Sequence, residues 1–247
     1  MSHIDKISAM REGGKRLAIV RDALVEFTRP GLNFAEIEAE AQRLIKAQGC
    51  VPNFALVPGY HWATCLMKND EVCHGIPSDK KVVKETDLIK IDVGLLYEGW
   101  NLDTTATTIM PGVSEKVRQF VETSQKALNK AIEAATAGNS VHEVSRAMQK
   151  VVEGKGYGMV YQLTGHGIGR ELHEDPAIPC IALRSEKRKI LSAGQTIAVE
   201  VMSTMGRPDL DVDADGWTYR TIDGSWSAMM EETVLVTDNG PEILTKV

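Results

Sequence analysis

Carboxylates stand inside runs of this chain that read as buried strands. Ile91-Asp92-Val93 and Val199-Glu200-Val201 each set an acid between β-branched apolar residues, and Glu231 immediately precedes Glu232-Thr233-Val234-Leu235-Val236. Such apolar runs read as buried strands, and a bare carboxylate is costly to bury in one. Few folds accommodate several such strands unless their acids converge on positive charge. Asp103 and the glycine-flanked His166 complete a set scattered over much of the chain: Asp92, Asp103, His166, Glu200 and Glu231. Four carboxylates carry about −4 and two divalent ions about +4, so a site for two hard or borderline cations accounts for all of them together.

The chain also repeats itself. Residues 5–28 have helical periodicity through Ile7, Met10, Leu17, Val20 and Leu24, then break at Arg29-Pro30-Gly31. Asn33 with Glu36 forms a capping box for a second helix that runs through Lys46 and ends near Gly49. The pattern returns later: a helix over 114–136, a break at Ala137-Gly138, a capping box of Ser140 with Glu143, and a helix ending near Gly156. Strand-like Leu88-Ile89-Lys90-Ile91-Asp92 then corresponds to Thr196-Ile197-Ala198-Val199-Glu200, with an acid in the same place. The expectation is a single domain over 1–247, built as related halves of about 5–110 and 114–240, with a site between them that draws ligands from both.

Leu88 to Leu96 and Trp100 to Ile109 read as a hairpin around Tyr97-Glu98-Gly99. A Tyr97-Glu98 loop sets Asp92 directly opposite Asp103; a Glu98-Gly99 loop makes them diagonal neighbours. Either way both acids point to one face and repel. The pattern predicts no basic residue alternating onto that face nearby, which leaves the charge for a metal. Thr164-Gly165-His166-Gly167-Ile168-Gly169 lacks the lysine and the strand–helix context of a phosphate loop, and His173-Glu174 is not part of an HExxH zinc motif. His142 falls in the second capping box and reads as surface; His3 and His61 join no pattern.

Charge and cysteine usage narrow the class. Net charge is −6, from 28 basic and 34 acidic residues, which argues against nucleic acid as the main partner. Lys80-Lys81 and Lys187-Arg188-Lys189 read as solvated surface, with a ribosome-facing patch as the lesser alternative. Cys50, Cys65, Cys73 and Cys180 form no CxxC pair, so neither a zinc ribbon nor a redox motif is indicated, and free thiols fit a reducing cytoplasm. The stretch from Met1 to Lys6 has no apolar leader region, and no run approaches the ~18 apolar residues of a membrane span.

Taken in order, these blocks resemble the methionine aminopeptidases, in particular their short bacterial type I form. The residues that carry the resemblance are Asn69-Asp70-Glu71-Val72-Cys73-His74-Gly75-Ile76-Pro77, Ile91-Asp92-Val93, Asp103-Thr104, Gly165-His166-Gly167-Ile168-Gly169, His173-Glu174-Asp175-Pro176, Ala198-Val199-Glu200, Asp215-Gly216-Trp217-Thr218 and Met230-Glu231. The resemblance implies an α+β "pita-bread" fold with two pseudo-symmetric helix–helix–strand halves around a dimetal site. It implies removal of the N-terminal methionine from peptides and nascent proteins by a hydroxide bridged between two divalent ions (Co, Mn, Fe or Zn). Asp92 would chelate one metal, Asp103 and Glu231 would bridge both, and His166 and Glu200 would complete the other. Glu200 would also serve as the general base, with His74 and His173 as catalytic histidines contacting substrate. Tyr60, Cys65 and Trp217, with Leu172 and Met202, would line the methionine pocket. A cytoplasmic monomer, with neither the type II insertion nor an N-terminal zinc-finger extension, goes with that resemblance.

The sequence departs from the family at four places. Glu232 stands where the family usually has histidine, Met229 where glutamine is frequent, and Val201 where proline follows the glutamate. Residues 57–64 lack the usual Tyr-Pro-x-Ser texture. All five ligands remain; the changes bear on pocket shape and rate. The alternatives are a related peptidase that cleaves Xaa-Pro bonds, a metal-free creatinase-like hydrolase, which should lack these ligands, and an inactive binding module of the same fold.

Overall fold

A computed structural model describes residues 5–247; His3 and the rest of the stretch before Asp5 lie outside it. In chain order the first half contains α1 (Lys6–Phe27), α2 (Phe34–Ala47), β1 (Val51–Pro52), a 3₁₀ turn (Phe54–Leu56), β2 (Thr64–Lys68), β3 (Glu71–Cys73), β4 (Leu88–Tyr97) and β5 (Trp100–Ile109). The second contains α3 (Glu115–Ala134), α4 (Val141–Glu153), β6 (Gly158–Met159), β7 (Thr164–Gly167), β8 (Glu174–Pro179), another 3₁₀ turn (Arg184–Arg188), β9 (Thr196–Thr204), β10 (Leu210–Val212), β11 (Tyr219–Thr221), β12 (Ser227–Leu235) and β13 (Glu242–Ile243).

Both expected capping boxes form. Asn33 Oδ1 accepts from the Glu36 N–H at 3.0 Å while Glu36 Oε2 accepts from the Asn33 N–H at 2.8 Å. Ser140 and Glu143 repeat the exchange at the head of α4. Each box residue also bridges the chain just ahead of its half's long strand, Asn33 to Val82 and Ser140 to Ile190. His142 is half-buried rather than surface, because its Nδ1 meets the Leu183 carbonyl at 2.9 Å. Lys81 is likewise half-buried, drawn into an ion pair with Glu71 at 2.7 Å, whereas Lys80 and 187–189 are exposed. No helix among the described residues is long and apolar enough to cross a membrane.

The long strands join in one sheet, ordered β1-β4-β5-β12-β9-β7-β8, with β2 added on β4, β6 on β9 and β13 on β12. A separate three-stranded sheet runs β10-β11-β3. Helix α1 packs on β4 and β5, and α3 on β9 and β12. These helices cover one face: Gly13 of α1 lies against Leu102, and Arg21 reaches Thr104 and Glu232. By strand alternation Asp103 and Glu231 point to the opposite face.

Candidate metal centre

The hairpin turn fixes the first two acids. Tyr97 pairs with Trp100, so Glu98-Gly99 is the two-residue loop, and both residues have positive φ (51° and 78°), as the twist-matched hairpin turn requires. Of the two registers open to the sequence, this is the diagonal one: Asp92 faces Thr105, and Asp103 faces Gly94. Strand β12 sets Glu231 opposite Thr105 on one side and opposite Glu200 on the other. His166 enters from β7, paired with Ala198 of β9. All five residues line one cavity of about 590 Å³.

Asp103, His166 and Glu231 each offer a ligand atom, and those atoms lie within 4.8 Å of one another. The hydroxyl of Thr105 sits 3.0 Å from Asp92 Oδ1 and 2.9 Å from Glu231 Oε2, so it can donate to only one at a time. Asp103 Oδ1 and Glu231 Oε1 are buried with no hydrogen-bond partner among the described residues. Burial pushes the carboxyl of Asp92 up to about 7. Burial, then repulsion from its acidic neighbours, raises those of Asp103, Glu200 and Glu231 well above the ordinary range. Burial lowers His166 to about 4, so its imidazole is neutral at neutral pH. Its Nδ1 lies 2.8 Å from the Gly167 carbonyl, which can only accept; Nδ1 therefore carries the proton and Nε2 keeps a free lone pair. Converging acids, a neutral imidazole and two unpartnered carboxylate oxygens fit a divalent cation.

One expectation about this face is corrected. Lys90 lies two residues before Asp92 on the same strand, so it does alternate onto the acids' face, and it is fully buried. Its ammonium does not serve the acids, however. It donates to the Asn69 carbonyl at 2.8 Å and to the Ser227 carbonyl and hydroxyl at 3.2 Å, which directs it away along the sheet.

The remaining predicted residues form the cavity wall. His74 has φ of 53°, and its ring meets Tyr219 edge-on at 5.7 Å. The rings of His173 and His166 meet edge-on at 4.5 Å. Burial lowers both His74 and His173, with the charge of His173 a further cause for His74. Tyr60 stands edge-on to Trp217 at 5.1 Å and donates its hydroxyl to the Thr64 carbonyl at 2.8 Å. Cys65 of β2 is opposite Asp92 in the sheet, and Leu172 also faces the cavity. Met202 does not; it is wholly buried in β9. Sequence reading missed Thr105, Cys73, Phe54 and Leu163 as residues of the site, and marked Met229 only as a departure bearing on pocket shape. Alternation held the signal for two of them, since Thr105 is two residues after Asp103 and Met229 two before Glu231. Phe54 sits in a single 3₁₀ turn and Leu163 in a loop, where apolar residues carry no such signal.

A model of metallopeptidase family M24 matches residues 8–238. The methionine aminopeptidase of Clostridium acetobutylicum strain ATCC 824 is 35% identical over 240 residues, which cover 97% of this chain and 96% of that protein. The crystal structure of methionine aminopeptidase from Thermotoga maritima superposes with a TM-score of 0.95 at 36% identity, covering 100% of both chains. The prolidase from Pyrococcus furiosus superposes with a TM-score of 0.79 at 27% identity, over 98% of this chain but 64% of that one.

Proposed function

Because this chain belongs to the methionine aminopeptidases of metallopeptidase family M24, we propose that the acidic cavity holds its metal and that the wall beside it selects methionine. The fold is the α+β pita-bread fold, and the activity is hydrolytic release of an N-terminal methionine. The observation that carries the site assignment is the cluster of Asp103, His166 and Glu231, with one unpartnered oxygen on each acid.

Asp92, Asp103, His166, Glu200 and Glu231 would together hold two divalent ions, drawn from Mn²⁺, Fe²⁺, Co²⁺ and Zn²⁺, all of which accept carboxylate and imidazole donors. When bound, such ions polarise the scissile carbonyl and make water a competent nucleophile at neutral pH. The chain does the rest. Glu200 takes a proton on its carboxylate and returns it to the leaving amine. An imidazole N–H of His173 donates to the oxygen on which negative charge develops. His74 faces the same cavity, orients the peptide backbone and assists the leaving nitrogen. Tyr60, Cys65, Trp217 and Leu172 exclude water around the thioether, which suits polarisable and apolar neighbours.

Residues 1–247 form one catalytic domain in this reading, with related halves that contribute Asp92 and Asp103 on one side and His166, Glu200 and Glu231 on the other. The substrates are the N-termini of nascent proteins, met by a cytoplasmic monomer in transient contact with ribosomes. The test uses chelator-stripped protein titrated with Mn²⁺, Co²⁺ or Fe²⁺, offered Met-Ala-Ser and Gly-Pro peptides. Metal-dependent methionine release is expected. Cleavage of Gly-Pro alone would instead assign Xaa-Pro specificity, and cleavage of neither peptide despite metal binding would assign a binding role.

A further inference from the structure

The histidine-bearing loop between β7 and β8 belongs to the second half of the chain, yet it is fastened to the hairpin tip of the first. Asn101 of β5 is 6% exposed and supplies most of that fastening. Its backbone N–H donates to the Gly169 carbonyl at 2.8 Å, and its side-chain Nδ2 donates to the carbonyls of Gly169 at 3.2 Å and Arg170 at 2.9 Å. Asn53, beside the 3₁₀ turn that carries Phe54, donates Nδ2 to Asn101 Oδ1 at 3.2 Å and so aims the Asn101 amide at the loop. Gly94 leaves the room for this, since a Cβ there would collide with Asn53. Arg170 closes the contact from the loop side: its guanidinium lies 3.8 Å over the Trp100 ring and donates to the Gly99 carbonyl at 3.0 Å.

The two histidines that flank this loop are held differently. His166 is in β7, fixed by pairing with β9 and by its own contact with Gly167. His173 lies at the far end, beyond the carbonyls that Asn101 grips. Asn101 is also two residues from Asp103 on the same strand, so it measures the position of the loop directly from a metal-site acid. A displacement of about 1 Å at a reacting group costs on the order of 10²-fold in rate.

We propose that Asn101 is a positioning residue for the reaction: its amide straps the 168–173 loop to β5 and thereby sets His173 against the reacting carbonyl. The inference rests on the role given to His173 above. In Asn101→Ala, kcat for Met-Ala-Ser falls about tenfold or more, while KM and Mn²⁺ affinity stay within about threefold. Asn101→Asp keeps the shape and the acceptor for Asn53 but cannot donate to the loop, so it should show the same loss even if the alanine variant folds poorly.

A double-mutant cycle with His173→Ala separates positioning from general loosening. Added to His173→Ala, the Asn101 change should lower kcat by less than about threefold further, because its effect already runs through that ring. Wild-type kcat in both well-folded Asn101 variants, a full multiplicative loss in the cycle, or a parallel fall in Mn²⁺ affinity would each overturn the proposal. Failure of the functional reading itself would appear separately, as absence of methionine release by the unaltered protein.

Discussion

At the scale of single residues, the acids of β12 divide the labour by facing opposite ways. Glu231 enters the cavity. Glu232 enters the packed layer beneath α1, where Arg21 Nη1 meets both its oxygens at 3.0 Å and the Thr245 hydroxyl donates to it. Both partners are largely buried, so deleting one strands the other. Arg21→Ala is expected to cost about 3 kcal/mol in urea unfolding while leaving kcat of the folded protein within about threefold. A selective loss of activity would show instead that Glu232 acts on the cavity. Asp103→Ala, by contrast, should abolish methionine release and weaken Mn²⁺ binding, and normal turnover in that variant would refute the metal assignment. The metal-site acids were legible in the sequence because an ionisable side chain amid β-branched residues has few other reasons to be there. Asn101 was not, because a polar residue near a turn resembles any solvated one until its long-range partners at 169 and 170 are known.

Elements were legible where one local interaction decided them. The helix starts follow from side chains three residues apart, and the ends of α2 and α4 come just before Gly49 and Gly156, both at positive φ. Asn33→Ala removes the acceptor of the first capping box and is expected to lower stability by about 1 kcal/mol, read from the urea midpoint at constant slope, with kcat unchanged because α2 does not touch the acids. A shift of several kcal/mol would mean that the bridge from Asn33 to Val82 matters more than the cap. Register was less legible. Alternation put Asp92 and Asp103 on one face but could not choose between two turns, since both give the same faces. The choice came from Glu98 and Gly99 adopting positive φ together. Nor did alternation reveal where Lys90 aims, because a strand pattern specifies a face and not the direction in which a long side chain lies along it.

For the molecule as a whole, the cavity couples fold stability to metal and to pH. Its four carboxyl groups are all held above their ordinary values. At these four groups the folded, metal-free protein binds more protons than the unfolded chain above about pH 4, so their contribution to stability drains away as pH rises through the Asp92 value of about 7, while the lowered values of His74, His166 and His173 act in the opposite sense below about 6.5. Chelator-stripped protein should melt lower at pH 8 than at pH 5.5. Mn²⁺ should raise the melting temperature by an increment that grows with pH, because bound cations replace those protons. A calorimetric increment that shrinks with pH would contradict this origin. The two-residue turn at Glu98-Gly99 adds a consequence for chains that fold wrongly. A slip of one residue in the hairpin turns Asp103 to the helix-covered side and empties one corner of the cavity. A cation that needs Asp103 in the cavity therefore stabilises only the correctly registered hairpin, by mass action, and leaves a slipped one without that support.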